Sequence, residues 1–182
     1  MDKKILVFSN GEKIGDGIIK LQLLHEIKTR LPDYKLYWLT NKGKTVYSST
    51  LKFIASNYID EILDQSDLNP FFWNKISKRY KLENEFFDYI LDTQKSVIRT
   101  IALKRIKHKN FISGSANGFF STEKSKDIKK NQYYLNYILD LLDLIVSKNT
   151  KSDFKIPISK DLEKLISDSL PKDKSCIGIA PG

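Results

Sequence analysis

The stretch KIGDGIIKLQLLHEIKTRL, Lys13 to Leu31, follows a short apolar run, ILVF at Ile5 to Phe8, and sets a Gly-Asp-Gly triplet between the two. The apolar run reads as a strand. Ile19, Leu23, Leu24, Ile27 and Leu31 then recur at helical spacing until Pro32-Asp33 breaks the pattern, so the segment reads as an amphipathic helix. A carboxylate at the point where a strand stops and a helix begins needs a reason, and the rest of the chain supplies the setting for one.

Outward from this unit the pattern repeats. KLYWLT at 35 to 40 predicts a second strand and Val46 to Ser56 a second helix. YIDEIL at 58 to 63 is short and partly polar, which suits a strand near a sheet edge. The aromatic and basic segment Leu68 to Lys81 predicts a helix after Pro70. FFDYILDT at 86 to 93 reads as a strand, Ser96 to Ile106 as a helix and KNFIS at 109 to 113 as a strand. Such alternation argues for an α/β fold, a Rossmann-like parallel sheet with helices on both faces.

Beyond Gly114 the pattern changes. SANGFFSTEKSKD is polar and loop-like, and YYLNYILDLLDLIV, Tyr133 to Val146, is a strongly apolar helix that needs burial. KSDFKIPI reads as extended, Leu162 to Leu170 as a short helix and CIGIAPG as a new strand. This order predicts one domain over residues 1–155, then a linker and the first strand of a second α/β domain over 156–182.

Composition narrows the class. With 182 residues, 41% of them hydrophobic, the chain can bury an ordinary core. The four apolar residues before Ser9 are too few for a secretory leader, and no window approaches eighteen uninterrupted apolar residues. The single Cys176 cannot form an intramolecular disulfide, which suits the cytoplasm. A net charge of +9 comes mostly from lysine, with only four arginines, whereas nucleic-acid readers lean on arginine for bidentate contacts. The lysine excess, alongside abundant Ile and Asn, equally suits an A+T-rich coding sequence, and no nucleic-acid partner is expected.

In an open α/β sheet, ligands sit outside the carboxyl ends of the strands, so the loop SNGEKIGDG is the default site. Gly11, Gly15 and Gly17 do not spell G-x-G-x-x-G, and the Gly-Lys-Ser/Thr of a phosphate-cradling loop is missing. Asp16 has two compatible readings. It can cap the helix that follows, or it can act as a general base towards a hydroxyl, with glycines on either side that let a substrate approach the backbone. No Asp-x-Asp pair occurs, and His25 and His108 have no partner at ligand spacing, so both read as solvated or structural and no metal is expected.

The stretch ILVF..GEKIGDGIIKLQLLHEIKTRLPDYKLYWLT resembles the amino-terminal signature of the glycosyltransferase family 9 enzymes, the ADP-heptose:lipopolysaccharide heptosyltransferases. FDYILDTQKSVIRTIAL, Phe87 to Leu103, is similar to that family's Asp-Leu-Gln segment and the helix after it. YYLNYILDLLDLI and IGIAPG resemble, in order, its helix after the acceptor-side loop and the strand that opens its second domain. Departures are Gly17, where the family usually has a branched apolar residue and where glycine would loosen the helix start, Leu21-Gln22 in place of Thr/Ser-Pro, and Asp92-Thr93-Gln94 in place of Asp-Leu-Gln.

The resemblance implies the amino-terminal, acceptor-side half of a two-domain GT-B enzyme that is inverting and metal-independent. Its donor would be a nucleotide sugar, ADP-heptose, bound by groups beyond Gly182, so that the fragment alone is expected to be inactive. Asp16 would be the catalytic base. The acceptor would be an anionic glycolipid, the lipopolysaccharide core, bound by Lys13, Gly15, Gln94, Lys95 and Arg99, with peripheral contact at the cytoplasmic face of the inner membrane. Lys13, Lys95 and Arg99 follow predicted strand ends. The basic run LKRIKHK, Leu103 to Lys109, reads instead as a solvated helix end. The competing class is a non-catalytic basic α/β module that binds nucleic acid or an anionic surface, because aromatics interleave with cations in FFWNKISKRYKLENEFF and could stack bases.

Overall fold

Residues 2–124, 133–146, 154–158 and 160–171 are described by a computed structural model. Five strands, β1 (Lys3–Ser9), β2 (Tyr34–Thr40), β3 (Glu61–Leu63), β4 (Phe86–Asp92) and β5 (Lys107–Ser113), form one parallel sheet in the order β3-β2-β1-β4-β5. The α/β, Rossmann-like expectation is met. β3 forms one edge, as its short, half-polar sequence suggested. The order reverses between β1 and β4, because the chain moves outward from β1 through β2 to β3 and then crosses back to β4 on the other side.

Helices α1 (Ile14–Arg30), α2 (Lys52–Ala55), α3 (Val97–Lys104), α4 (Tyr134–Asp143) and α5 (Lys160–Ser169) complete the described elements, with short 3₁₀ turns at 46–48, 82–84 and 115–118. Side chains alternate across a strand, so β1 feeds two cores. Ile5 and Val7 join Leu21, Leu24 and Ile27 of α1 and Ile138, Leu141 and Leu142 of α4. Leu6 and Phe8 face the other way, into Ala102 and Leu103 of α3, Phe87, Phe111 and Leu82. Both sheet faces are covered, which is why β1 reads as an unbroken apolar run. Arg30 at the end of α1 ties α4 in place by donating to Asp143 Oδ1 at 2.7 Å and to the Val146 carbonyl at 2.9 Å.

Four of the five predicted stripe positions of α1, Leu23, Leu24, Ile27 and Leu31, are buried, whereas Ile19 is 42% exposed. Gly17, Lys20 and Leu21 face inward as well, which brings a lysine into the core stripe. Gly17 does not loosen the helix start. A Cβ there would collide with Val46 and press on Leu51, and the Tyr47 hydroxyl donates to the Gly17 carbonyl at 2.7 Å. The glycine lets the 46–51 segment approach the helix backbone.

Two predicted helices are not formed as expected. Val46 to Ser56 divides into a 3₁₀ turn and the single turn of α2, because Ser49 leaves helical geometry and Asp64 draws the Thr45 amide and Ser48 hydroxyl to itself. Leu68 to Lys81 contains no helix. Leu68 and Ile76 are anchored in the second core, and the Ser77 hydroxyl bonds the Ser66 carbonyl, so tertiary bonds replace the helical ladder. The CIGIAPG strand lies outside the described residues, as do parts of the 115–127 loop and of KSDFKIPI.

Candidate active site

Each strand closes on a buried polar residue: Ser9, Thr40, Asp64 just past β3, Asp92 and Ser113. These mark the carboxyl edge of the sheet, where an open α/β fold binds ligands, and the switch point lies between β1 and β4. Asp16 sits beside it in the first turn of α1, exposed. It is not the N-cap. Lys13 takes that position with extended backbone and no side-chain cap bond, and the Gly17 amide bonds its carbonyl at 3.0 Å. A carboxylate in the first turn still suits the positive end of the helix dipole. The cap reading of Asp16 is therefore corrected.

Beneath Asp16, one turn further along α1, Lys20 is only 3% exposed. Its ammonium donates to Ser9 Oγ at 2.7 Å, lies 3.8 Å from Glu12 Oε1 and sits 5.6 Å from the centre of the Tyr134 ring. Burial lowers the Lys20 pKa from the usual lysine value, against the opposing pull of the Glu12 and Asp16 carboxylates. Glu12 is held on its other side. Its two carboxylate oxygens accept from Trp38 Nε1 at 3.1 Å and Thr45 Oγ1 at 2.6 Å. The Gly-Asp-Gly turn is thus tied down by an ion pair under it, linking the end of β1, the start of α1 and the 45–48 turn.

A second buried carboxylate stands across the switch point. Asp92 accepts from the Thr100 and Ser113 hydroxyls at 2.7 and 2.8 Å and from the Gln94 amide at 2.9 Å. Burial pushes its pKa up to about 6, although all three donors pull the other way. Thr93 bonds the Phe8 carbonyl, stitching the ends of β4 and β1 together. Tyr134 and Tyr137 of α4 close this side. Burial pushes Tyr134 up to about 12, offset by a hydrogen bond with Thr93, and raises Tyr137, whose hydroxyl lies against Gly114.

Of the acceptor-side residues, Lys95 is exposed, with its ammonium 4.6 Å over the Tyr137 ring, and half-buried Gln94 reaches Thr93 Oγ1 at 3.4 Å. Gly15 faces open space, and Lys13 is exposed beside it. Arg99 is half-buried in the first turn of α3. Asp16, Lys13 and Gly15 therefore line one side of the switch point and Gln94 and Lys95 the other. Arg99 follows the same strand edge, on the helix that covers the opposite sheet face. Sequence reasoning missed Lys20, Glu12, Tyr134 and Tyr137. A lysine among leucines at the inward spacing of α1 was the one available signal.

The two histidines have structural surroundings. His25 packs edge-on to Tyr58 and against Phe154, and His108 Nδ1 lies 2.6 Å from the Ile106 carbonyl. Among the described residues no helix is long and apolar enough to cross a membrane.

A five-stranded parallel sheet with its polar cluster at the switch point defines a Rossmann-like α/β domain. Among solved structures the chain is similar to the E. coli heptosyltransferase WaaC with ADP, at 16% identity and a TM-score of 0.56, over 86% of this chain and 49% of that one. It is similar also to a glycosyl transferase family 9 protein from Veillonella parvula DSM 2008, at 16% identity and a TM-score of 0.58, over 95% of this chain and 52% of that one. The fold is thus heptosyltransferase-like, and the chain spans about half the length of either structure. No protein-family model matches the sequence, and no curated protein matches it.

Proposed function

We propose that this chain is the acceptor-binding half of an inverting, metal-independent glycosyltransferase, with Asp16 as general base. The observation that carries the reading is an exposed carboxylate at the switch point of a heptosyltransferase-like fold, on a turn fixed from below by Lys20 and Glu12. A sugar hydroxyl is a poor nucleophile near neutral pH. In the proposed step the acceptor O–H bond breaks as its proton passes to Asp16 and the oxygen attacks the anomeric carbon of the donor. The bond from that carbon to the nucleoside diphosphate breaks, and the diphosphate departs with the electron pair. The donor is a nucleotide sugar, with ADP-heptose favoured by the likeness to an ADP-bound heptosyltransferase. Lys13, Lys95 and Arg99, with Gly15 and Gln94, bind an anionic glycolipid of the lipopolysaccharide-core type at the cytoplasmic face of the inner membrane. The donor-binding groups come from a facing α/β unit, which the exposed Ile14, Ile18 and Phe119 around the strand ends would meet.

In the full-length protein, Asp16→Ala is expected to lower transfer by about 10²-fold or more with nucleotide-sugar affinity nearly unchanged, measured by donor turnover and calorimetric titration. Removing the charges of Lys13, Lys95 and Arg99 together should raise the acceptor KM, most at low salt. Full turnover in Asp16→Ala would refute the assignment.

A further inference from the structure

The loop on the α3 face presents three consecutive aromatic residues to solvent. Phe71, Phe72 and Trp73 are 53%, 83% and 67% exposed. Phe71 stacks on Trp73 with ring centres 5.1 Å apart, and Phe72 meets Trp73 edge-on at 4.7 Å. The mount beneath them is fixed. Arg105, at the end of α3, donates to the carbonyls of Asn69 at 2.6 Å, Phe72 at 3.4 Å and Asn74. The Asn69 amide bonds the Ile76 carbonyl at 2.9 Å, and Leu68 and Ile76 are buried in the core on either side. The rings are therefore held out by the fold.

The apolar surface continues onto α3. Ile98 and Ile101, 66% and 41% exposed, stand three and four residues apart in the stripe that leads to Arg105, so they share its side of the helix. The border is cationic. Lys75, Lys78, Arg79 and Lys81 are all exposed, and the segment from Asn69 to Lys81 contains no acidic residue. Lys78 reaches Asp67 at 3.5 Å across open surface, a pairing of little energy, and Arg79 donates to the neutral Gln65 side chain.

We infer that this face docks on an anionic lipid bilayer, with Phe71, Phe72 and Trp73 seated at the boundary between headgroups and acyl chains and the lysines among the headgroups. This stands independently of the transferase reading. Tryptophan and phenylalanine gain by burial at that depth, and each cation near an anionic surface adds to the attraction. A border of one sign suits an anionic sheet, whereas a second copy would bring the same cations face to face. Nucleic acid fits less well, since Phe71 and Trp73 already cover one face of each other and the border is mostly lysine.

The chain carries its own reporter. Trp38 is fully buried, so a change of environment on binding is read at Trp73. With phosphatidylglycerol-containing vesicles at low salt, the full chain should float with the vesicles. Trp73 emission should shift to the blue and its quenching by acrylamide should fall. Pure phosphatidylcholine vesicles, or salt raised to about 0.5 M, should reduce binding about tenfold or more. The double variant Phe71→Ser/Phe72→Ser, whose far-ultraviolet spectrum should match the parent, is expected to lose binding by a similar factor. Trp73→Phe should keep flotation and lose the emission shift. Four results would overturn the inference: no flotation on anionic vesicles, flotation without a Trp73 response, Trp73 shielding that grows with protein concentration in the absence of lipid, or stronger shielding by single-stranded RNA than by vesicles.

Discussion

The cluster under Asp16 and the aromatic loop on the α3 face depart from the usual arrangement in opposite senses. At the strand ends the chain buries charge: Lys20, Glu12 and Asp92 are all under a tenth exposed. On the α3 face it exposes large apolar rings. The buried charges are supplied with partners from within the chain, namely Ser9, Trp38 and Thr45 for the ion pair and Thr100, Ser113 and the Gln94 amide for Asp92. The exposed rings have supports beneath them and pack on one another. A buried charge without partners costs several kcal/mol, so its partners must be built in, whereas an exposed ring costs little until something covers it. The first region should therefore reveal itself through stability and the second through binding.

The largest effect should come from Lys20→Met, which leaves the Glu12 carboxylate buried without its cation. Loss of one member of such a pair costs about 3–5 kcal/mol, visible in urea unfolding. Adding Glu12→Gln should recover part of that loss, with a coupling of about 1–3 kcal/mol in the double-mutant cycle. Equal stability of Lys20→Met and the parent would mean that the charge under Asp16 needs no partner.

Asp92 is intermediate. Its pKa is raised from 3.8 to about 6, so the folded state holds a proton more tightly than the unfolded chain. The stability that this proton contributes is complete below about pH 4 and is lost as pH rises through about 6. Asp92→Asn can donate to the hydroxyls it faces and removes the titration. Its unfolding free energy should exceed the parent's at pH 8 by an amount on the order of 1–3 kcal/mol, and the gap should close near pH 4. A constant gap from pH 4 to 8 would exclude Asp92 as the titrating group.

Phe72→Ser should be the smallest. At 83% exposure the ring contributes little to folding, so unfolding free energy should change by about 0.5 kcal/mol or less, as read by the same urea titration. A loss of more than about 2 kcal/mol would show that the loop aromatics belong to the core, and the contrast between the two regions would fail.

Much of the fold was legible because its signals are local. A strand buried on both faces must be apolar throughout, as ILVF is, and the short half-polar EIL must lie at an edge. Asp16 could be placed at a strand end from its neighbours alone. The loop Leu68 to Lys81 was misread because its composition suits a helix, and the bonds that prevent one come from distant residues, Arg105 and Ser66. Arg105 was misread for the same reason, since a basic residue at a helix end has the composition of a solvated face until a loop packs under it.

The sequence by itself determined the alternation of strands and helices and the carboxyl edge on which Asp16 stands, because periodicity and backbone preference act over a few residues. Only the tertiary structure decided that α1 turns Lys20 inward and Ile19 outward, that Glu12 waits under the turn, and that Gly17 is the point where residues 46–51 touch the helix. Those outcomes depend on side chains that meet from separate elements, as Glu12 meets Thr45 and Gly17 meets Tyr47. A buried charge is tolerable only where such distant partners converge, and no local pattern records that convergence.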